Sequence, residues 1–182
     1  MEIIDFVTLP DGEIDFEGKA KELLQFKGTK KEIAKKVEEL KVRYSEQKPY
    51  VESNQLIEDT IYGEYSKDKQ SQDEKWTSSF TTKLKAAGIQ NLEELVVDAV
   101  RNYSPDNPVE RLAADIVATF DASIIGKIQG ESEAEKTGYA TQMVEKLIKI
   151  AVRTEWAEQC IIIGKAALAS KSKPEFPTFP AL

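Results

Sequence analysis

Pro10-Asp11 followed by Glu17-Gly18-Lys19 places two carboxylates and an ammonium within residues 10–19. Asp11 and Glu17 could share Mg²⁺, a hard cation that takes oxygen ligands, leaving Lys19 to stabilise developing negative charge or orient a water. Asp11 also has a simpler role. Pro10-Asp11-Gly12 spells a tight turn, because Gly adopts positive φ without steric cost. Other chemistries are excluded by residue type. The chain contains no His, which removes Ser-His-Asp and Cys-His catalysis and any His-based metal site. One cysteine, Cys160, forms neither an internal disulfide nor a CxxC zinc site, and beside Ile161-Ile162-Ile163 it reads as a small buried apolar residue. Neither GxxxxGK nor GxGxxG occurs, so no phosphate loop or dinucleotide fingerprint is present. The expectation is a protein that is not an enzyme and has no cofactor.

The order Pro-Asp…Glu-x-Lys at Asp11, Glu17 and Lys19 resembles the spelling found in metal-dependent nucleases. That resemblance covers ten residues and implies Mg²⁺-dependent cleavage of nucleic acid. The sheet carrying such a site would here have only two strands, and the long helix expected before it is missing. The residues that follow offer a second route to nucleic acid. Lys27, Lys31 and Lys35 are spaced by four, so they would share a helix face, with Lys30, Lys36, Lys41 and Arg43 nearby. A nucleic-acid-binding surface built from Lys27, Lys31, Lys35 and Arg43 would hold phosphates. The interleaved Glu32, Glu38 and Glu39 equally suit a solvated face laced by intrahelical ion pairs. A third use of the same stripe is docking an acidic protein.

The distribution of charge supports a localised basic patch on an acidic body. Across 182 residues the formal net charge is −7. Residues 1–18 hold six acids and no base, residues 19–48 ten bases and five acids, and residues 91–160 thirteen acids and seven bases. Apolar residues make up 41% of the chain, enough to offset the ordering entropy that keeps polar chains unfolded. No run approaches the ~18 uncharged apolar residues of a membrane span. The opening Met1-Glu2-Ile3-Ile4-Asp5 is acidic and unlike a leader, and with one cysteine it suggests a reducing, cytoplasmic setting.

The elements expected to position these residues are mostly helical: a single bundle of about five to seven helices preceded by a short N-terminal β-hairpin over residues 1–18. The hairpin is expected from Ile3–Leu9, the turn at Pro10-Asp11-Gly12, and the alternation of Glu13–Glu17. Helical patterns fill 19–170. A short helix over Lys19–Lys27 stops at Gly28, and Thr29 with Glu32 forms a capping box. Ile33, Val37, Leu40 and Tyr44 then make one stripe, which Pro49 should end. A new helix near Ser53 carries Leu56, Ile57, Ile61 and Tyr65. Residues 66–75 contain no apolar side chain and read as a solvated loop and a hinge. Trp76–Ala87 and a helix capped by Asn91 follow, the latter with Leu92, Leu95, Val96 and Val100 inward. The joint Leu84–Leu95 resembles that of helix-hairpin-helix nucleic-acid modules, and is also what a Gly C-cap followed by an Asn N-cap gives in any helical protein. Asn107-Pro108 should start a helix that Gly130 closes, with Val109, Leu112, Ala113, Ile116, Val117, Phe120 and Ile124 on one face. Ser132 and Glu135 form a second capping box before one long helix, or two collinear ones, reaching Ser170. Residues 160–169 are apolar almost all round and so are expected at the bundle centre or in a self-association interface.

The last segment, 171–182, is an extension in which Pro174, Pro177 and Pro180 recur every three residues, as do Phe176, Phe179 and Leu182. A polyproline II helix has three residues per turn, so the apolar groups would line one edge of a pre-stiffened strip. That strip either covers the protein's own core or docks on a partner through Phe176, Pro177, Phe179 and Leu182. The function expected from these features is non-catalytic binding of macromolecules, by a small helical subunit or adaptor of a larger assembly. Its partner would be a protein or a second copy of itself, and no membrane. The alternative is a nucleic-acid-associated protein using the basic face, with a Mg²⁺-dependent nuclease as its enzymatic form.

Overall fold

Seven helices account for most of the chain in the computed structural model, which describes residues 1–182. They are α1 (Phe16–Leu23), α2 (Lys30–Glu64), α3 (Lys67–Ala86), α4 (Leu92–Asn102), α5 (Val109–Val117), α6 (Ala122–Gly126) and α7 (Glu133–Ala169). The protein is therefore mainly α, as its periodicity implies. No helix is long and apolar enough to cross a membrane.

The expected N-terminal hairpin does not form. The turn at Pro10-Asp11-Gly12 is present, with Gly12 at φ 88° and the Gly12 amide donating to the Leu9 carbonyl at 2.9 Å. Pairing stops at a single bridge between Thr8 and Ile14. Two competing interactions explain this. Asp15 caps α1 by accepting from the Gly18 amide at 2.8 Å, which draws the intended second strand into a helix. The first strand finds a side chain instead of a strand. The Gln47 carboxamide accepts from the Ile4 amide at 3.0 Å and donates to the Ile4 carbonyl at 2.7 Å. Phe6, Phe16 and Tyr44 meet edge to face, with centroids 5.4–5.7 Å apart, and fix the segment against α2.

Three helix boundaries also move. Pro49 lies inside α2 and does not end it. An interior proline costs roughly 3 kcal/mol, but buried side chains on both sides (Leu40 and Gln47 before it, Ile57 and Ile61 after it) hold the two halves in one helix. Residues 66–75 form no solvated loop: Ser66 caps α3 by accepting from the Lys69 amide at 3.2 Å, and the helix runs through to Ala86. The helix starting at Val109 breaks after Val117 and resumes as α6, although Phe120 and Ile124 still pack on the core. Both capping boxes form. The Thr29 amide donates to the Glu32 carboxylate at 2.7 Å and the Glu32 amide to the Thr29 hydroxyl at 3.3 Å, and the Glu135 amide donates to the Ser132 hydroxyl at 3.2 Å.

The chain divides into two compact units. One comprises Met1–Glu58 with Gly164–Pro174, the other Asp59–Ile163 with Glu175–Leu182. The first holds the Phe6–Phe16–Tyr44 ring cluster, Ala20 and Leu40. The second holds the larger apolar core, in which Leu84, Leu92, Val109, Met143, Val144 and Ile148 are fully buried. Each such side chain contributes about 1.5–3 kcal/mol relative to exposure. Cys160 is buried, and that burial pushes its thiol pKa up. The segment 160–169 is not buried all round, since Ile162 remains 66% exposed.

Candidate functional site

The carboxylate–lysine set near the N-terminus is dispersed. The turn occupies Asp11, whose Oδ1 accepts from the Glu13 amide at 3.0 Å. Glu17 pairs with Lys21, one turn along α1, and Lys19 pairs with Glu22 at 3.2 Å. Each side chain is engaged with its own neighbours, and no group of three or more Asp, Glu, Cys or His side chains is placed to hold a metal ion.

The basic stretch is reorganised. Lys27 lies before α2, in the turn joining it to α1, so it does not share a helix face with Lys31 and Lys35. Arg43 is drawn away to donate to the Glu2 carbonyl. Lys36 and Lys41 pair with Glu39 and Glu38 at 3.2 and 2.9 Å. Lys27, Lys30, Lys31 and Lys35 have no carboxylate partner. Glu32 forms no ion pair with them: the Thr29 amide and hydroxyl both donate to it, the amide most strongly holding its carboxyl below the usual range.

The same turn carries a residue that periodicity places in a helix. Gln25 and Phe26 have φ of 53° and 57°, and the Phe26 ring is 78% exposed. The Phe26 amide donates to the Lys21 carbonyl at 2.8 Å, closing α1 in the manner of a C-terminal glycine. For a residue with a Cβ this conformation costs about 1–2 kcal/mol. Leu23 is exposed beside it. An aromatic ring held in solvent by a strained turn, with four lysines in the nine residues that follow it, makes this the best-defined candidate contact surface in the first unit.

The C-terminal strip lies against its own chain. The Trp156 indole N–H donates to the Pro177 carbonyl at 2.8 Å. Phe179 meets Trp156 edge to face at 4.9 Å and stands 6.2 Å from Tyr65. Phe176 and Pro177 are half-buried and Leu182 is exposed. Beneath the strip is a cluster with no precedent in the sequence pattern. Asp73 is 1% exposed and accepts through Oδ2 from Arg153 Nε and Nη2 at 3.0 and 2.8 Å and from the Tyr65 hydroxyl. The signal for it is Arg153 itself, three residues from both Ile150 and Trp156, two buried positions of α7.

The cluster has a pH consequence. Burial first, and the Asp73 carboxylate second, push the Tyr65 hydroxyl up to about 12 from 10.0. The folded state thus keeps a proton that the unfolded chain releases, so the associated stability is complete below pH 10 and is lost as pH rises towards 12. Denaturant unfolding between pH 9 and 12 should show this decline in the native chain, and Tyr65→Phe should remove that slope. An unchanged slope in the variant would assign it elsewhere.

The two surfaces belong to a mainly helical protein. Comparison of the chain with protein-family models, with curated proteins and with solved structures finds no match.

Proposed function

We propose that this chain is a non-catalytic macromolecule-binding protein, a small helical subunit or adaptor, and that it grips an acidic protein through the turn between α1 and α2. The supporting observation is the exposed Phe26 ring in a positive-φ turn, followed in sequence by Lys27, Lys30, Lys31 and Lys35, which have no carboxylate partners. An aromatic anchor followed by cations suits a partner with an apolar pocket in an acidic surface. The ring supplies desolvation energy, and the charges supply encounter rate and orientation. The turn closes α1 through the Phe26 amide, a task glycine performs without strain, so keeping an exposed aromatic ring there supports a role in contact.

A second reading has the same cations hold phosphates, as Lys31 and Lys35 lie one turn apart on the exposed face of α2. Capture from the native source, with and without nuclease, separates the two. Protein binding predicts that the wild type keeps its partner after nuclease, and that Lys31→Glu with Lys35→Glu weakens capture about tenfold or more. Company lost on nuclease treatment supports the phosphate reading. Capture unaffected by the charge reversal contradicts both.

A further inference from the structure

A recess of about 230 Å³ in the second unit is lined by Lys69 and Trp76 of α3 and by Gln142, Glu145, Lys146, Lys149 and Arg153 of α7. Helical spacing explains the convergence. Lys69 and Trp76 are two turns apart on one face of α3, and Gln142, Lys146, Lys149 and Arg153 follow one face of α7. Two of the four cations are neutralised: Lys149 by Glu145 at 2.8 Å, and Arg153 by Asp73. The other two have no carboxylate. The Lys146 ammonium stands 3.1 Å and the Lys69 ammonium 5.5 Å from the Trp76 ring centroid. Loss of water and then the Lys69 charge hold Lys146 below the usual lysine range, so the two ammonium groups work against each other as they stand. The indole compensates only in part.

We propose that this recess binds a phosphate group, supplied by inorganic phosphate or by a small phosphomonoester. Two unneutralised ammonium groups match the charge of a phosphate dianion, and the Gln142 carboxamide provides a neutral donor. The half-buried Trp76 lines one side of the recess, and hydrogen bonds from the charged ammonium groups to phosphate oxygens are charge-assisted. The indole face is already covered by lysine ammonium, which argues against a stacked aromatic ligand. This site is independent of the Phe26 turn and stands whether or not that turn binds a protein.

The test is titration of the full chain with inorganic phosphate at constant ionic strength, followed by calorimetry and by thermal midpoint. Saturable binding with a rising midpoint is expected, since a ligand held only by the folded state stabilises it. Lys146→Met and the exposed Lys69→Met should each weaken binding about tenfold or more, while Lys127→Met, an exposed lysine outside the recess, leaves it unchanged. Glycerol phosphate binding as tightly as phosphate would identify a phosphomonoester site, and a preference for the inorganic ion a closed one. No saturation by about 10 mM phosphate, or equal binding by both recess variants and the wild type, would overturn the proposal.

Discussion

Arg153→Leu should destabilise the protein by about 3–5 kcal/mol. Arg153 is 8% exposed, and its guanidinium supplies two of the hydrogen bonds that reach Asp73 Oδ2, the third coming from Tyr65. Removing it leaves an ionised carboxylate in a site with almost no solvent, where the Tyr65 hydroxyl alone cannot replace both the charge and the lost bonds. The other carboxylate oxygen, Oδ1, already lacks a hydrogen-bond partner, so there is no reserve. Removing both charges in Asp73→Leu/Arg153→Leu should restore much of the loss, because a buried ion pair and an apolar pair of similar volume differ little in stability. Urea unfolding of the two singles and the double measures this cycle. A loss under about 1 kcal/mol for Arg153→Leu would mean that the pair behaves as a surface ion pair.

Deleting residues 175–182 should cost about 2–4 kcal/mol with little change in helix content. The deletion removes the half-buried Phe179 ring from Trp156 and Tyr65, and takes away the carbonyl that accepts the Trp156 indole N–H. Phe179→Ala alone should account for more than half of the effect, because the ring, and not the backbone, covers Trp156. Thermal melting together with partner capture distinguishes the two roles of the strip. A lower midpoint with capture retained assigns it to the protein's own packing. An unchanged midpoint with capture lost would return Phe176, Pro177, Phe179 and Leu182 to a partner surface.

Some features decided within four residues were legible in the sequence, while the equally local Asp15 and Ser66 caps were not. The Thr29–Glu32 and Ser132–Glu135 boxes and the end of α3 near Gly88 (φ 112°) all stand where composition and spacing put them. Features decided by distant partners were not. Residues 66–75 look solvated because their one buried group is a carboxylate, and its partner Arg153 lies 80 positions away. The first strand of the expected hairpin lost its pairing to Gln47, 43 positions away. Pro49 is a local stop signal outweighed by burial on both flanks. The contact surface was half legible. Lys27, Lys31 and Lys35 stood out by spacing, yet which of the lysines keep free charge depended on side-chain pairing, and Arg43 was diverted to the Glu2 carbonyl. Phe26 gave no warning, since a positive φ at a residue with a Cβ leaves no compositional trace and the ring fitted the helical pattern around it.

The most direct test of contact through the strained turn is to compare Phe26→Gly with the wild type for both stability and affinity towards the nuclease-resistant partner. Glycine adopts the αL conformation freely, so relief of strain should raise unfolding stability by up to about 1 kcal/mol. Loss of the anchor ring should weaken binding by about tenfold or more. A variant more stable and less able to bind is the predicted result. Undiminished affinity in Phe26→Gly would contradict the account.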